Sequence, residues 1–306
     1  RLPGSSGRGT SQPRRGAGVQ YLPSRAVTRT TTLWLGASVT TRRSLLIGGG
    51  AAAGLAAAGV LGWPLLPGRV KKQLGLAPEP VVPDAPEGVV RLETVESVAR
   101  GTDVQLFTAV PEGYGDGEGL PVVVVLHGAS ATAADFQPAG LPRFLSAAVA
   151  AGAPPFVLAG ADGGVLQWEP QPDGDDPQRM VLEEMPRWLD ERGFDAARRA
   201  VWGWSMGGYG ALRLAQVAPG WSAATAAFSP AVSDGDAVFA DAAVLRDEVL
   251  GVWCGTDDGF FPAVQALVAA LPRKPEQVSF GPGGHSRVYW NDHTMEAFAF
   301  LAGHLR

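Results

Sequence analysis

The chain has 306 residues, a single cysteine and a formal net charge of −5, a length that holds one large α/β domain or two small ones. The lone cysteine, Cys254, excludes an intramolecular disulfide framework and a cysteine-based zinc site. Charge is spread unevenly: 11 of the 25 basic residues precede Glu79, the first acidic residue, leaving 14 basic against 30 acidic residues beyond it and a net charge of −16 there. A body so acidic cannot neutralise phosphates, which excludes nucleic acid as its partner.

Residues 1–38 are rich in Arg, Ser, Thr and Gly and lack hydrophobic periodicity. They are expected to be disordered, or to be an extension upstream of a start at Val39, because the first methionine is Met180. Within residues 39–66, "TTRRSLLIGGGAAAGLAAAGVLGW" resembles a twin-arginine export signal, with Arg42 and Arg43 as the pair and Leu45 and Leu46 opening the apolar region. Six glycines between Gly48 and Gly62 make it less apolar than a usual membrane span. No clean A-x-A cleavage site follows, so the segment reads as a signal or as an uncleaved N-terminal membrane anchor. Either way the acidic domain is expected outside the cytoplasmic membrane, exported already folded. Residues 67–87 end in a proline-rich stretch and read as a linker.

From residue 88 to 306 apolar β-rich runs alternate with helical patterns. "VVRLETVESVA" and "TDVQLFTAVPEG" predict an antiparallel hairpin turning at Arg100-Gly101. "LPVVVVLHG" and "PPFVLAGADGG" predict strands buried on both faces. "PQRMVLEEMPRWLDERG" carries a helical apolar face closed by Gly193. "RRAVWGWS" predicts the next strand and "GYGALRLAQVAPG" the next helix; three further strands, a helix at "FPAVQALVAAL" and a terminal helix complete the chain. The fold class is α/β, one doubly wound, mostly parallel sheet. Functional groups in such sheets gather where strands end at their carboxyl termini.

Four polar motifs lie at those positions. In "VVVVLHGASA" the amide of Ala129 falls where an oxyanion donor is needed, and His127 is read as structural, anchoring the turn. The loop "ADGGVLQWEPQPDGDDPQ" carries Trp168, either a substrate-lining residue or ordinary core. Its Asp173, Asp175 and Asp176 lack the spacing of a calcium loop and read as a solvated turn. Gly203-Trp204-Ser205-Met206-Gly207 is a G-x-S-x-G between a strand and a helix: a strained serine on a sharp turn, fenced by residues without side chains, with the Met206 amide as second oxyanion donor. Downstream stand "CGTDDGF" and "GPGGHSRVYW". His285 is the candidate base. Asp257 and Asp258 compete for the acid, and a glycine followed by two residues and an aspartate selects Asp258 after Gly255. His293 and His304 are read as surface or packing residues of the terminal helix, Cys254 as a small apolar packing residue, and Trp204, Tyr209 and Trp290 as core aromatics bracketing the site. No cofactor and no metal is called for.

With these motifs in hand, the body resembles the α/β-hydrolase superfamily, in particular the esterase group that includes esterase D-like S-formylglutathione hydrolases and the antigen 85 mycolyltransferases. The stretches that carry the resemblance are "LHGAS", "GWSMGGYGA", "CGTDDGF" and "GGHSRVYW". It implies Ser205 as nucleophile, His285 as base, Asp258 as acid, and the Ala129 and Met206 amides as oxyanion donors. Gly259 stands where that group commonly has proline, which loosens the acid turn. Only about 20 residues separate "FSP" from "VLGVW", too few for a large cap domain. An open groove is therefore expected, suited to a lipidic or polymeric ester. The expected activity is that of an exported serine esterase. Alternatives are an acyltransferase to a sugar or lipid alcohol using the same triad, and a catalytically inactive cell-envelope binding module.

Overall fold

The computed structural model describes residues 78–306; the segments read as disordered, signal or anchor, and the first part of the linker lie outside the described residues. Eight strands form one sheet in the order β1-β2-β4-β3-β5-β6-β7-β8. They are β1 (Val90–Ser97), β2 (Thr102–Ala109), β3 (Pro121–Leu126), β4 (Val157–Ala161), β5 (Asp195–Trp204), β6 (Thr225–Phe228), β7 (Leu250–Gly255) and β8 (Gln277–Gly281). The predicted hairpin is present: β1 and β2 are antiparallel, joined through Gly101 at φ +64°. From β4 onward every pairing is parallel.

Strand β3 shows why the sheet is covered on both sides. Val123 and Val125 point into one apolar layer, with helices α1 (Leu141–Ala150) and, at the chain end, α6 (Arg287–Gly303). Val122, Val124 and Leu126 point into the other, with α2 and α3 (Met206–Val217). The side-chain period of two makes an unbroken Val run hydrophobic on both faces. Each large side chain buried there contributes about 1.5–3 kcal/mol. Helix α2 is one helical segment in three parts: Pro177–Arg179, a π turn over Met180–Glu184, and Met185–Asp190. Pro186 lacks an N–H and crowds the carbonyl one turn back, and the helix widens just before it. Between β6 and β7 stand only a one-turn helix, α4 (Ala237–Ala240), and a 3₁₀ segment (Ala242–Asp247), so no large cap covers the sheet edge. Helix α5 (Phe261–Ala270) follows β7.

The structure adds to two sequence readings. The end of the proline-rich stretch, from residue 78, is docked on the domain. Asn291 Nδ2 donates to the Val81 carbonyl at 2.9 Å, Arg143 Nε to the Ala85 carbonyl at 3.2 Å, and Val82 packs into the layer under α1. Its apolar Val82 has a place to bury because Gly140 offers no side chain against it; a Cβ there would lie 2.4 Å from a Val82 methyl. The aspartate loop is also more than a solvated turn. Asp175 pairs with the largely buried Arg100, and Asp176 Oδ1 caps α2 by accepting from the Arg179 amide at 2.8 Å.

Cys254, read as a packing residue, is fully buried in β7, and burial pushes its thiol up to about 12. An exposed thiol ionises near about pH 8.5. Folded protein at that pH should therefore leave a thiol–disulfide reagent unreacted, and denaturant should release one reactive thiol per chain, as read by absorbance.

Candidate active site

The carboxyl ends of β3, β5, β6, β7 and β8 lie along one rim of the sheet, and the polar motifs emerge there. The closest approach is between β3 and the first turn of α3. A Cβ on Gly207 would sit 1.9 Å from the Leu126 carbonyl oxygen, and one on Gly203 would sit 2.2 Å from the Gly207 carbonyl oxygen. Only hydrogen fits at either position. Packed this tightly, the chain turns from strand to helix in one residue, and Ser205 takes φ +57° and ψ −121°, a conformation that side-chain-bearing residues rarely adopt. Its amide is tied to the Phe228 carbonyl at 2.9 Å, which holds the hydroxyl at the rim.

His285 reaches it from the loop after β8. Its Nε2 accepts from the Ser205 hydroxyl at 2.9 Å, and its Nδ1 donates to Asp258 Oδ2, also at 2.9 Å. Of the two competing acids the structure brings only Asp258 to the imidazole; Asp257 is exposed, its amide bound to the Gly283 carbonyl. Asp258 is 4% exposed. Burial works to raise its carboxyl pKa, but hydrogen bonds from His285, the Phe260 amide and the Ser229 hydroxyl outweigh it and hold the group below the ordinary carboxylate range. A carboxylate so held fixes the imidazole with Nε2 unprotonated and turned toward the serine.

Ala129 follows Gly128, which packs against the elbow: a Cβ on Gly128 would lie 3.3 Å from Ser205 Cβ. The Ala129 and Met206 amides donate no hydrogen bond among the described residues. Ala129 lines the cavity of about 330 Å³ that contains Ser205 and His285, and Met206 follows Ser205 as the first residue of α3. His127 is structural, as expected: neutral and buried, it accepts from the Gly163 amide at Nε2 (2.9 Å) and donates from Nδ1 to the Gly128 carbonyl (2.9 Å). Burial lowers its pKa, and the turn after β3 is locked to the turn after β4.

Trp168 is not a lining residue. It is fully buried, its indole inserted against Gly163 and Gly210, where added side chains would come within 2.4 and 2.7 Å of the ring, and its Nε1 donates to the His127 carbonyl at 3.1 Å. The opposite correction applies to Trp204 and Trp290. They are half-buried walls of a second cavity of about 230 Å³ that opens beside the first, and Trp290 stands edge-on to His285 with ring centres 5.1 Å apart. Tyr209 remains core, its hydroxyl donating to Glu169 at 3.0 Å. His293 is half-buried on α6 and His304 half-buried at its C-cap, each beside a glutamate. Among the described residues no cluster of three or more His, Cys, Asp or Glu side chains could hold a metal ion.

The family described as "Putative esterase" matches residues 97–301. The chain belongs to this esterase family. Solved structures of similar fold include a ferulic acid esterase, 21% identical over 72% of this chain and 99% of that one, with a TM-score of 0.63. The Staphylococcus aureus fluorophosphonate-binding serine hydrolase FphF is 18% identical over 71% and 99%, with a TM-score of 0.59. An S-formylglutathione hydrolase from Agrobacterium tumefaciens is 18% identical over 72% and 96%, also at 0.59. At such identities the likeness establishes the α/β-hydrolase fold of these esterases. No curated protein matches the chain.

Sequence reasoning missed Ser229, the residue behind the acid. It is fully buried, at φ +41°, its hydroxyl accepts from Trp290 Nε1 at 3.0 Å, and it is among the groups that lower the Asp258 carboxyl pKa. The only trace in the chain is a serine directly after a short apolar strand, too common a pattern to single out. A hydrogen bond to a charged group is worth about 1.5–3 kcal/mol, or about 10- to 100-fold in rate if the transition state bears the loss. Ser229→Ala should therefore lower kcat by up to about that factor in steady-state kinetics, with a smaller rise in KM because Trp290, a wall of both cavities, loses its acceptor.

Proposed function

We propose that the protein is an exported carboxylic ester hydrolase working through an acyl-enzyme on Ser205. The observation that carries this reading is the unbroken chain from Ser205 Oγ to His285 Nε2 and from His285 Nδ1 to Asp258, each link 2.9 Å. Ser205 Oγ attacks the ester carbonyl as its proton passes to His285 Nε2. The negative charge on the carbonyl oxygen is taken by the Ala129 and Met206 amides, the latter at the N-terminus of α3, where the helix dipole adds to the stabilisation. The C–O bond to the alcohol breaks as the imidazolium returns its proton to the departing oxygen. Water, activated by the same imidazole, then cleaves the acyl–serine bond and restores the hydroxyl. Asp258 stays ionised throughout and stabilises the imidazolium.

The acyl half enters the second cavity, between Trp204 and Trp290. The relatives' names span a ferulic acid ester and a glutathione thioester. The aromatic walls favour a flat or apolar acyl group, and a location outside the cytoplasm disfavours the thioester. The uncapped rim leaves room for a lipidic or polymeric alcohol, and an alcohol seated there in place of water would turn hydrolysis into acyl transfer.

Ser205→Ala should lower the hydrolysis of a short-chain nitrophenyl ester by about 10⁴-fold or more and abolish labelling by a fluorophosphonate, with an unchanged circular dichroism spectrum. Near-normal activity would refute the assignment. Export rests on Arg42 and Arg43. Replacing both with lysine should retain the protein in the cytoplasm on cell fractionation, and unchanged export would refute the twin-arginine reading.

A further inference from the structure

Arg287 stands where the two cavities meet. Together with Ser130, Trp204 and Trp290 it forms the wall they share, two residues beyond His285 at the first position of α6. Its Nη2 donates to the Ala139 carbonyl at 2.9 Å, so the side chain spans from the base's loop to the segment before α1. A guanidinium has five N–H donors, and this one bond leaves most of them uncommitted.

What sets Arg287 apart is its place: Arg179, Arg187, Arg199, Arg246, Arg273, Lys274 and Arg306 also make no ion pair among the described residues, but none of them lines these two cavities. The region beyond residue 78 carries 30 acidic residues against 14 basic ones, and six of its arginines are paired with carboxylates: Arg91, Arg100, Arg143, Arg192, Arg198 and Arg213. Arg287 has no carboxylate partner among the described residues. The acid in that cavity wall, Asp135, makes no ion pair with it and directs its Oδ2 to the Thr132 amide at 2.7 Å and the Thr132 hydroxyl at 2.9 Å. An exposed guanidinium without an ion-pair partner is thus held at the edge of an aromatic-walled cleft next to the reacting serine. Its planar fork matches carboxylate or phosphate oxygens.

We propose that Arg287 makes the enzyme selective for esters that carry an anionic oxygen group close to the scissile bond. The inference rests on the reading of Ser205 as the nucleophile. The group is either a carboxylate on the acyl chain or a phosphate on the alcohol, since the cavity wall that bears Arg287 faces both halves of a bound ester. The acidic remainder of the domain repels such substrates, and one unpaired guanidinium at the site converts that general repulsion into local selection.

The test compares matched pairs with the purified full chain. One pair is the nitrophenyl hemiester of glutarate against nitrophenyl valerate; the other is butyryl glycerol 3-phosphate against butyryl glycerol. Wild type should show at least a 10-fold higher kcat/KM for the anionic member of one pair, and that pair names the half of the substrate that Arg287 reads. Arg287→Gln should cut this ratio about 10-fold or more, Arg287→Lys should retain part of it, and Arg273→Gln, a surface control, should leave it unchanged. A wild-type ratio near one in both pairs, or a ratio unmoved in Arg287→Gln, overturns the proposal. An equal loss on both members, with a lowered melting temperature, also overturns it and marks Arg287 as a clamp on the Ala139 segment. Turnover of the neutral esters by wild type shows separately whether the Ser205 reading stands.

Discussion

The site is built on an approach between two backbones that admits nothing larger than hydrogen. Where α3 begins, Gly207 lies so close to the end of β3 that a methyl group would overlap the Leu126 carbonyl, and Gly203 is as tightly opposed to Gly207 itself. This contact forces the strand-to-helix reversal into a single residue and puts Ser205 into its strained conformation. It also brings the turn carrying Ala129 beside the first amide of α3. The strain is offset by the rest of the fold, whose strands are buried on both faces.

Around that elbow the polar groups form a layered arrangement in which each member fixes the next. Trp290 donates to Ser229, whose hydroxyl helps hold the Asp258 carboxyl ionised, and Asp258 receives the imidazole N–H whose opposite nitrogen faces Ser205. Trp290 is also a wall of the second cavity and stands at right angles to His285. The same indole therefore shapes the substrate site and supports the acid, which places recognition and proton transfer on shared residues. On the far side of the elbow, His127 and Trp168 are spent entirely on structure: one pins the β3 turn to the β4 turn, the other fills the space left by two glycines.

Electrostatics gives this site its character. The domain is strongly acidic, yet the acid that faces the base is held ionised by donors, and the cation at the cavity mouth has been left without a carboxylate. Both features oppose the average charge of the molecule. They are local devices, and each depends on a few contacts rather than on composition.

Much of this was legible in the chain. Continuous valine runs identify strands covered on both faces, and G-x-S-x-G between strand and helix marks the elbow, because the glycine requirement is steric and local. The order of Ser205, Asp258 and His285 along alternating elements places them at one rim, and the G-x-x-D run separates Asp258 from Asp257. The sequence could not tell whether Trp168 or Trp204 faces the cavity. Both are tryptophans at or after strand ends near the site motifs, and burial is decided by long-range packing. Nor could it reveal that Ser229 supports the acid, that Arg287 has no partner, or that Val82 is docked against Gly140, because these contacts join residues that are distant along the chain. Local sterics and periodicity are written in neighbouring residues and so are determined by sequence alone. Which polar groups end up paired, and which cavity an aromatic ring walls, depends on long-range packing and is decided only by the tertiary structure.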